Sequence, residues 1–166
     1  LTNYEYALIH GEWDIPPMNP PEGKTYLRED SVFEVTGWLR LAKLARDDCD
    51  YHLEIAVGPD DDERIIAEIP NTTDYCPLRE KFLQELKDKF NIAKLTSTPR
   101  RFSKKAARQI TVTGYAFLDT AHRAKADPTD PQGNGSHGSA KVATLWEIHP
   151  VLDVDIIVQN MYVALQ

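Results

Sequence analysis

From Val32 onward, apolar and polar residues alternate with a period of two. Phe33, Val35, Gly37, Leu39 and Leu41 fall on one side, and Glu34, Thr36, Trp38 and Arg40 on the other. Successive side chains of a strand point to opposite faces, so this pattern predicts a long first strand with one face on a core. Gly37 in its middle marks a bend or bulge. A second strand follows, with Tyr51, Leu53, Ile55 and Val57 inward and His52 and Glu54 opposite. Gly58-Pro59 and three aspartates then read as a hairpin turn into a third strand over 64–69.

The period changes over 78–90, where Leu78, Phe82, Leu83, Leu86 and Phe90 form one stripe at helical spacing. Pro77 suits the start of that helix and Asn91 its end. A basic stretch, 94–108, leads to a fourth strand in which Ile110, Val112, Gly114, Ala116 and Leu118 alternate with Thr111, Thr113, Tyr115, Phe117 and Asp119. Residues 122–142, with PTDPQGNGSHGS among them, are rich enough in Pro, Gly and Ser to predict a loop. The fifth strand places Trp146, Ile148, Leu152, Val154 and Ile156 on one face and Glu147, His149, Asp153 and Asp155 on the other. Ahead of all this, residues 1–30 predict an extended arm, because Pro16, Pro17, Pro20 and Pro21 remove backbone donors and fix φ.

The succession is strand, strand, strand, helix, strand, strand. It is mainly β and matches the OB-fold, a five-stranded Greek-key barrel. Ligands of that fold meet the second and third strands and the loops joining strands 1–2 and 4–5, here about 42–50 and 122–143. A helix-capped mixed barrel or an open α+β sheet gives a similar string. With 166 residues, 42% hydrophobic and 27% charged, the chain fits one globular domain over 31–166 behind its arm.

Charge narrows the partners. A net charge of −7 disfavours indiscriminate binding to nucleic acid, where Lys and Arg supply most of the affinity. The charge is also segregated: nine carboxylates lie between Asp47 and Glu68 against one base, Arg64, and eight bases lie between Lys87 and Arg108 against one acid, Asp88. The plainest expectation is two solvated loops of opposite sign. No apolar run approaches the roughly 20 residues that span a bilayer. The chain starts at Leu1 rather than Met, so an export signal can already have been removed. Cys49 and Cys76, the only cysteines, form no CxxC pair, but can close a disulfide if the protein is exported.

Three segments carry acid and histidine close together: DDCDYHLEI (47–55), VTGYAFLDTAH (112–122) and LWEIHPV (145–151). If the barrel closes, their ends can bring Asp48, Asp50, His52, Asp119, His122, Glu147 and His149 near one another. Imidazoles and carboxylates in that ratio suit zinc or manganese, with His52, Asp119, His122, Glu147 and His149 as candidate ligands, while Asp47, Asp48 and Asp50 alone suit calcium. The helical H-E-x-x-H spacing of zinc hydrolases is absent. A metal-free pair, His122 oriented by Asp119, is an alternative, since a carboxylate fixes the imidazole tautomer and raises its basicity. No nucleophile stands out: Ser136 and Ser139 fall in the Gly-rich loop, and Cys49 has no basic neighbour in sequence. The same acids and histidines can equally form a satisfied network that pins strand ends.

The segments DYHLEIA (50–56), IIAEIPN (65–71), VTGYAFLDTAH (112–122) and WEIHPV (146–151), in that order, resemble a family of bacterial exported proteins of unassigned function. The resemblance covers roughly residues 32–156. It implies an exported, small β-rich domain with Asp50, His52, Asp119, His122, Glu147 and His149 at the family's motif positions. The chain departs from that pattern at 123–143, where the loop is usually short. The resulting expectation is an exported binding module for a divalent cation, a sugar or a peptide. Its rivals are a metal-dependent hydrolase built on the Asp/His/Glu set and a single-strand nucleic-acid binder using Arg100, Arg101, Lys104, Lys105 and Arg108.

Overall fold

The computed structural model describes residues 31–119, 136–137 and 140–157. In chain order the elements are β1 (Val32–Leu44), β2 (Tyr51–Ala56), β3 (Glu63–Ile69), a 3-10 turn (Thr73–Tyr75), α1 (Cys76–Phe90), β4 (Arg100–Arg101), β5 (Gln109–Leu118), β6 (Ser136–His137) and β7 (Ala140–Ile157). The expected arm over 1–30, and most of the expected loop with His122 in it, lie outside the described residues.

Five long strands close on themselves in the order β1-β2-β3-β7-β5-β1, all antiparallel except the β3–β7 pair. This closed barrel with one helix between its strands is OB-like. Its closure rests on the bend in β1. Residues 32–38 pair with β5 and residues 38–44 with β2, with a register shift between Leu39 and Leu41. Gly37 sits at the turnover, where a Cβ would come within 2.5 Å of both the Ala56 carbonyl oxygen and Ile55 Cγ2. Glycine is the residue that admits so close a crossing.

The basic stretch is not a free loop. Past its pairing with β5, β1 would expose a row of backbone groups, and segment 96–108 covers them. Arg100–Arg101 pair with Leu41–Ala42, the Leu39 N–H donates to the Arg108 carbonyl, and the Leu44 N–H to that of Thr96. One of its own bases and Arg40 of the adjoining β1 also hold the acidic turn. Arg40 donates to the carbonyls of Pro59 and Asp61, and Lys104 to that of Asp60. The two oppositely charged segments therefore meet through Lys104, while most of their charged side chains stay exposed, as expected of solvated loops.

Inside, Leu39, Leu53, Ile55, Ile110, Trp146 and Ile148 are buried, and α1 closes one end with Phe82 and Leu86. The helix starts at Cys76, two residues before the apolar stripe, and carries Pro77 in its first turn. It stops at Asn91, whose left-handed backbone (φ 57°) lets its N–H donate to Lys87 and that of Ile92 to Leu86. Toward β7, Glu85 accepts the Ile156 N–H at 2.5 Å and Lys89 donates to the Ile156 carbonyl.

Lys81 adds an ion pair to that seam, 2.8 Å from Asp153 and 2.9 Å from Asp155. The hydrogen bond to Asp153 holds the Lys81 ammonium above its ordinary range, and the same bond holds the Asp153 carboxyl below its own. The depressed carboxyl makes this stabilisation full above the ordinary carboxylate range and lost as pH falls through the folded value. The raised ammonium preserves it until pH rises through that group's folded value. Both side chains are partly exposed, so Lys81→Met is expected to cost only about 0.5 kcal/mol at neutral pH. In urea titrations the gap from wild type should narrow once pH falls below the ordinary aspartate value and close below the depressed folded one.

Three strand details differ from the sequence pattern. Val57 lies past the end of β2 and is exposed, because the chain has already turned toward Gly58. Leu152 is exposed while Val151 is buried, because register shifts against Gly114 and Ala116 reset which β7 residues face inward. β7 also begins at Ala140 rather than near Trp146, and Ser136–His137 fold back on Ala140–Lys141, so part of the expected loop is a β-hairpin. Among the described residues, no helix is long and apolar enough to cross a membrane.

Candidate cation and ligand site

The strand period that sends Leu53 and Ile55 into the core sends His52 and Glu54 to the outer face of the barrel. Register then gathers their neighbours. His52 lies opposite Lys43 on one side and Glu68 on the other, and Glu147 on β7 lies opposite Phe117 on β5. Unlike an ordinary outer face this one is largely withdrawn from water: His52, Glu54 and Glu147 are each at most 5% exposed. His149 reaches the same face through the irregular stretch of β7 opposite Gly114. A Cβ on that glycine would meet Ile148 Cγ2 at 2.6 Å and the Pro150 carbonyl oxygen.

Asp50 comes from the β1–β2 loop and is held from several sides. Its N–H donates to Asp48 Oδ1 at 3.0 Å, its Oδ1 accepts the Asn71 N–H at 2.7 Å, and its carbonyl accepts the Ala45 N–H at 2.8 Å. Cys49 before it takes a left-handed backbone (φ 66°). Arg79 of α1 clamps the neighbourhood, donating to the Cys49 and Ile69 carbonyls while its guanidinium sits 3.6 Å from the Tyr51 ring centre. The loop is thus built to present one carboxylate.

A relay of ionisable groups results. Asp50 Oδ2 lies 3.6 Å from His149 Nε2, and His149 Nδ1 lies 3.6 Å from Glu68 Oε2. Glu68 Oε1 in turn is 2.8 Å from His52 Nδ1, and His52 Nε2 is 3.9 Å from Glu54 Oε1. Burial pulls the His52 imidazole toward its neutral form, but hydrogen bonding to Glu54 and Glu68 outweighs it and holds the pKa above the ordinary value. Burial pushes the Asp50 carboxyl up. The Asn71 N–H opposes that shift, and repulsion from Asp48 adds to it.

Beside the relay lies a cavity of about 640 Å³. It is lined by His52, Glu68, Asp119, Glu147 and His149, together with Lys43, the loop through Arg46, Asp47 and Asp48, and Phe117. Asp48, His52, Asp119, Glu147 and His149 were all expected at a shared site, and they line this one cavity. Asp50 stands immediately behind His149. His122 lies outside the described residues. Of the candidate metal ligands, His149 converges with Asp50 and Glu68, one donor atom from each lying within 4.8 Å of the others. His52 instead faces Glu68. Glu68 and Phe117 lie inside two of the motif segments without being singled out as site residues, and Lys43 lies outside them all. The pairing of β1 with β2, of β2 with β3 and of β5 with β7 places them here. Cys49 and Cys76 are separate, exposed thiols, so the disulfide that export would have allowed is not formed.

Fold and site together define an OB-like barrel carrying an acid and histidine groove on the outer face of β2, β3 and β7. Comparison with protein-family models, curated proteins and solved structures gave no match to this chain.

Proposed function

We propose that the protein is a binding module that holds a divalent cation between Asp50, Glu68 and His149, at the edge of the groove. The observation that carries this reading is the convergence of three donor atoms from three different elements within 4.8 Å. In a tetrahedral site with bonds near 2.1 Å, donors stand roughly 3.4 Å apart, so donors that lie within 4.8 Å of one another must close by up to about 1.4 Å to hold a cation. One imidazole and two carboxylates suit zinc or manganese, and three protein donors leave open positions for a further ligand. His52 fits as the outer partner that orients Glu68.

The test is metal uptake by the whole chain, purified without chelators and titrated with zinc, manganese and calcium. Near one equivalent of one cation is expected, with binding lost in Glu68→Gln and His149→Ala variants that still unfold cooperatively. No uptake, or uptake indifferent to both substitutions, sinks the reading.

A further inference from the structure

We infer that the groove's ligand is a polyhydroxyl compound, a sugar or short glycan, whose neighbouring hydroxyls occupy the cation's open positions while its ring lies along Phe117. This rests on the cation site proposed above and names what that site is for. Size comes first. About 640 Å³ is far more than a cation fills and falls within the roughly 300–1,000 Å³ of small-molecule sites.

The charge balance of the lining points the same way. Beyond the cation's own ligands, Asp47, Asp48, Asp119 and Glu147 face the cavity against two bases, Lys43 and Arg46. An anion would meet a surplus of carboxylates. An apolar ligand would strip water from the exposed Asp47 and Asp48 and return no hydrogen bonds. A cationic amine would be repelled by the cation at the cavity's edge. Hydroxyl groups avoid all three costs. They donate to carboxylates, accept from Lys43 and Arg46, and coordinate a metal through oxygen while the ligand stays neutral.

The aromatic wall adds to this. Phe117 packs edgewise on His149, with centroids 5.4 Å apart at 71°, so a candidate cation ligand fixes it beside the cation, yet it remains 40% exposed. Sugars carry C–H groups on the faces of their rings, and an immobilised aromatic ring is the surface those faces pack against. Tyr115, also exposed, is two residues back on the same face of β5, about 7 Å along the strand. It extends the wall beyond the cavity and makes room for more than one sugar unit.

The experiment applies the manganese-loaded chain to an array of neutral glycans, with and without EDTA, alongside spermidine and inorganic phosphate as charged probes. At least one glycan should be retained in manganese and released by EDTA. Phe117→Leu, with its metal content read on the same sample, should weaken retention at least about tenfold while the cation stays bound. No glycan bound by a chain that has taken up its cation overturns this inference and leaves the cation site standing. A chain that takes up no cation removes both. Glycan binding indifferent to EDTA or to Phe117→Leu also overturns it, as does retention of spermidine or phosphate in place of glycans.

Discussion

Trimming Phe82 to alanine is expected to lower the stability of the domain by about 3–5 kcal/mol, the range for removing a fully buried phenylalanine. The side chain has no exposed surface and sits on the inner face of α1, where it closes one end of the barrel 6.3 Å from the Tyr51 ring. The barrel walls are tied by backbone hydrogen bonds around the full circumference and cannot collapse far into the void, so the larger part of the penalty should appear. Urea unfolding of both proteins measures it. A loss under about 1 kcal/mol would mean that the helix is not the plug described above. Since Tyr51 is next to Asp50, the same variant should also loosen the loop that presents that carboxylate.

The second large effect is expected at His52. It lies between Glu68 and Glu54 on a face nearly closed to solvent, and its raised pKa favours the imidazolium. His52→Ala would leave the buried Glu54 and the partly buried Glu68 without that partner, and removing one side of a buried ionic contact costs roughly 3–5 kcal/mol. The change should also weaken the cation by about 10–100-fold, because Glu68 loses the group that orients it. Unfolding and metal titration on the same preparation measure the two effects. Intact stability would show that the relay is solvated. Intact affinity in a weakened protein would show that His52 supports the fold but not the cation.

The alternation of Phe33 to Leu41, the helical stripe from Leu78 to Phe90 and the bend at Gly37 were legible in the chain because each is a local consequence of backbone periodicity. The barrel followed from their order. What local pattern could not show was register. Leu152 and Val151 exchange roles through an irregular pairing with Gly114, and nothing in their own hydrophobicity distinguishes them. The site divides along the same line. Asp50, His52, Glu147 and His149 stood out because acids and histidines sit close together in sequence. Glu68 lies in an ordinary strand, and its importance comes from standing across from His52. The basic segment carries exposed side chains, as its charge implies, whereas its service to the edge of β1 is performed by backbone groups that composition does not record.

Strand β7 borders both β3 and β5, which makes it the closing stave of the barrel. Every other wall contact can form while the chain is shorter, but until this strand arrives two rows of backbone groups stand open. During synthesis those rows are templates for pairing with another molecule, and the risk lasts until the final stretch of the domain has emerged. The same strand brings Glu147 and His149 to the groove. Closing the wall and completing the groove are therefore a single event, and a chain caught before it has open edges and an unfinished groove.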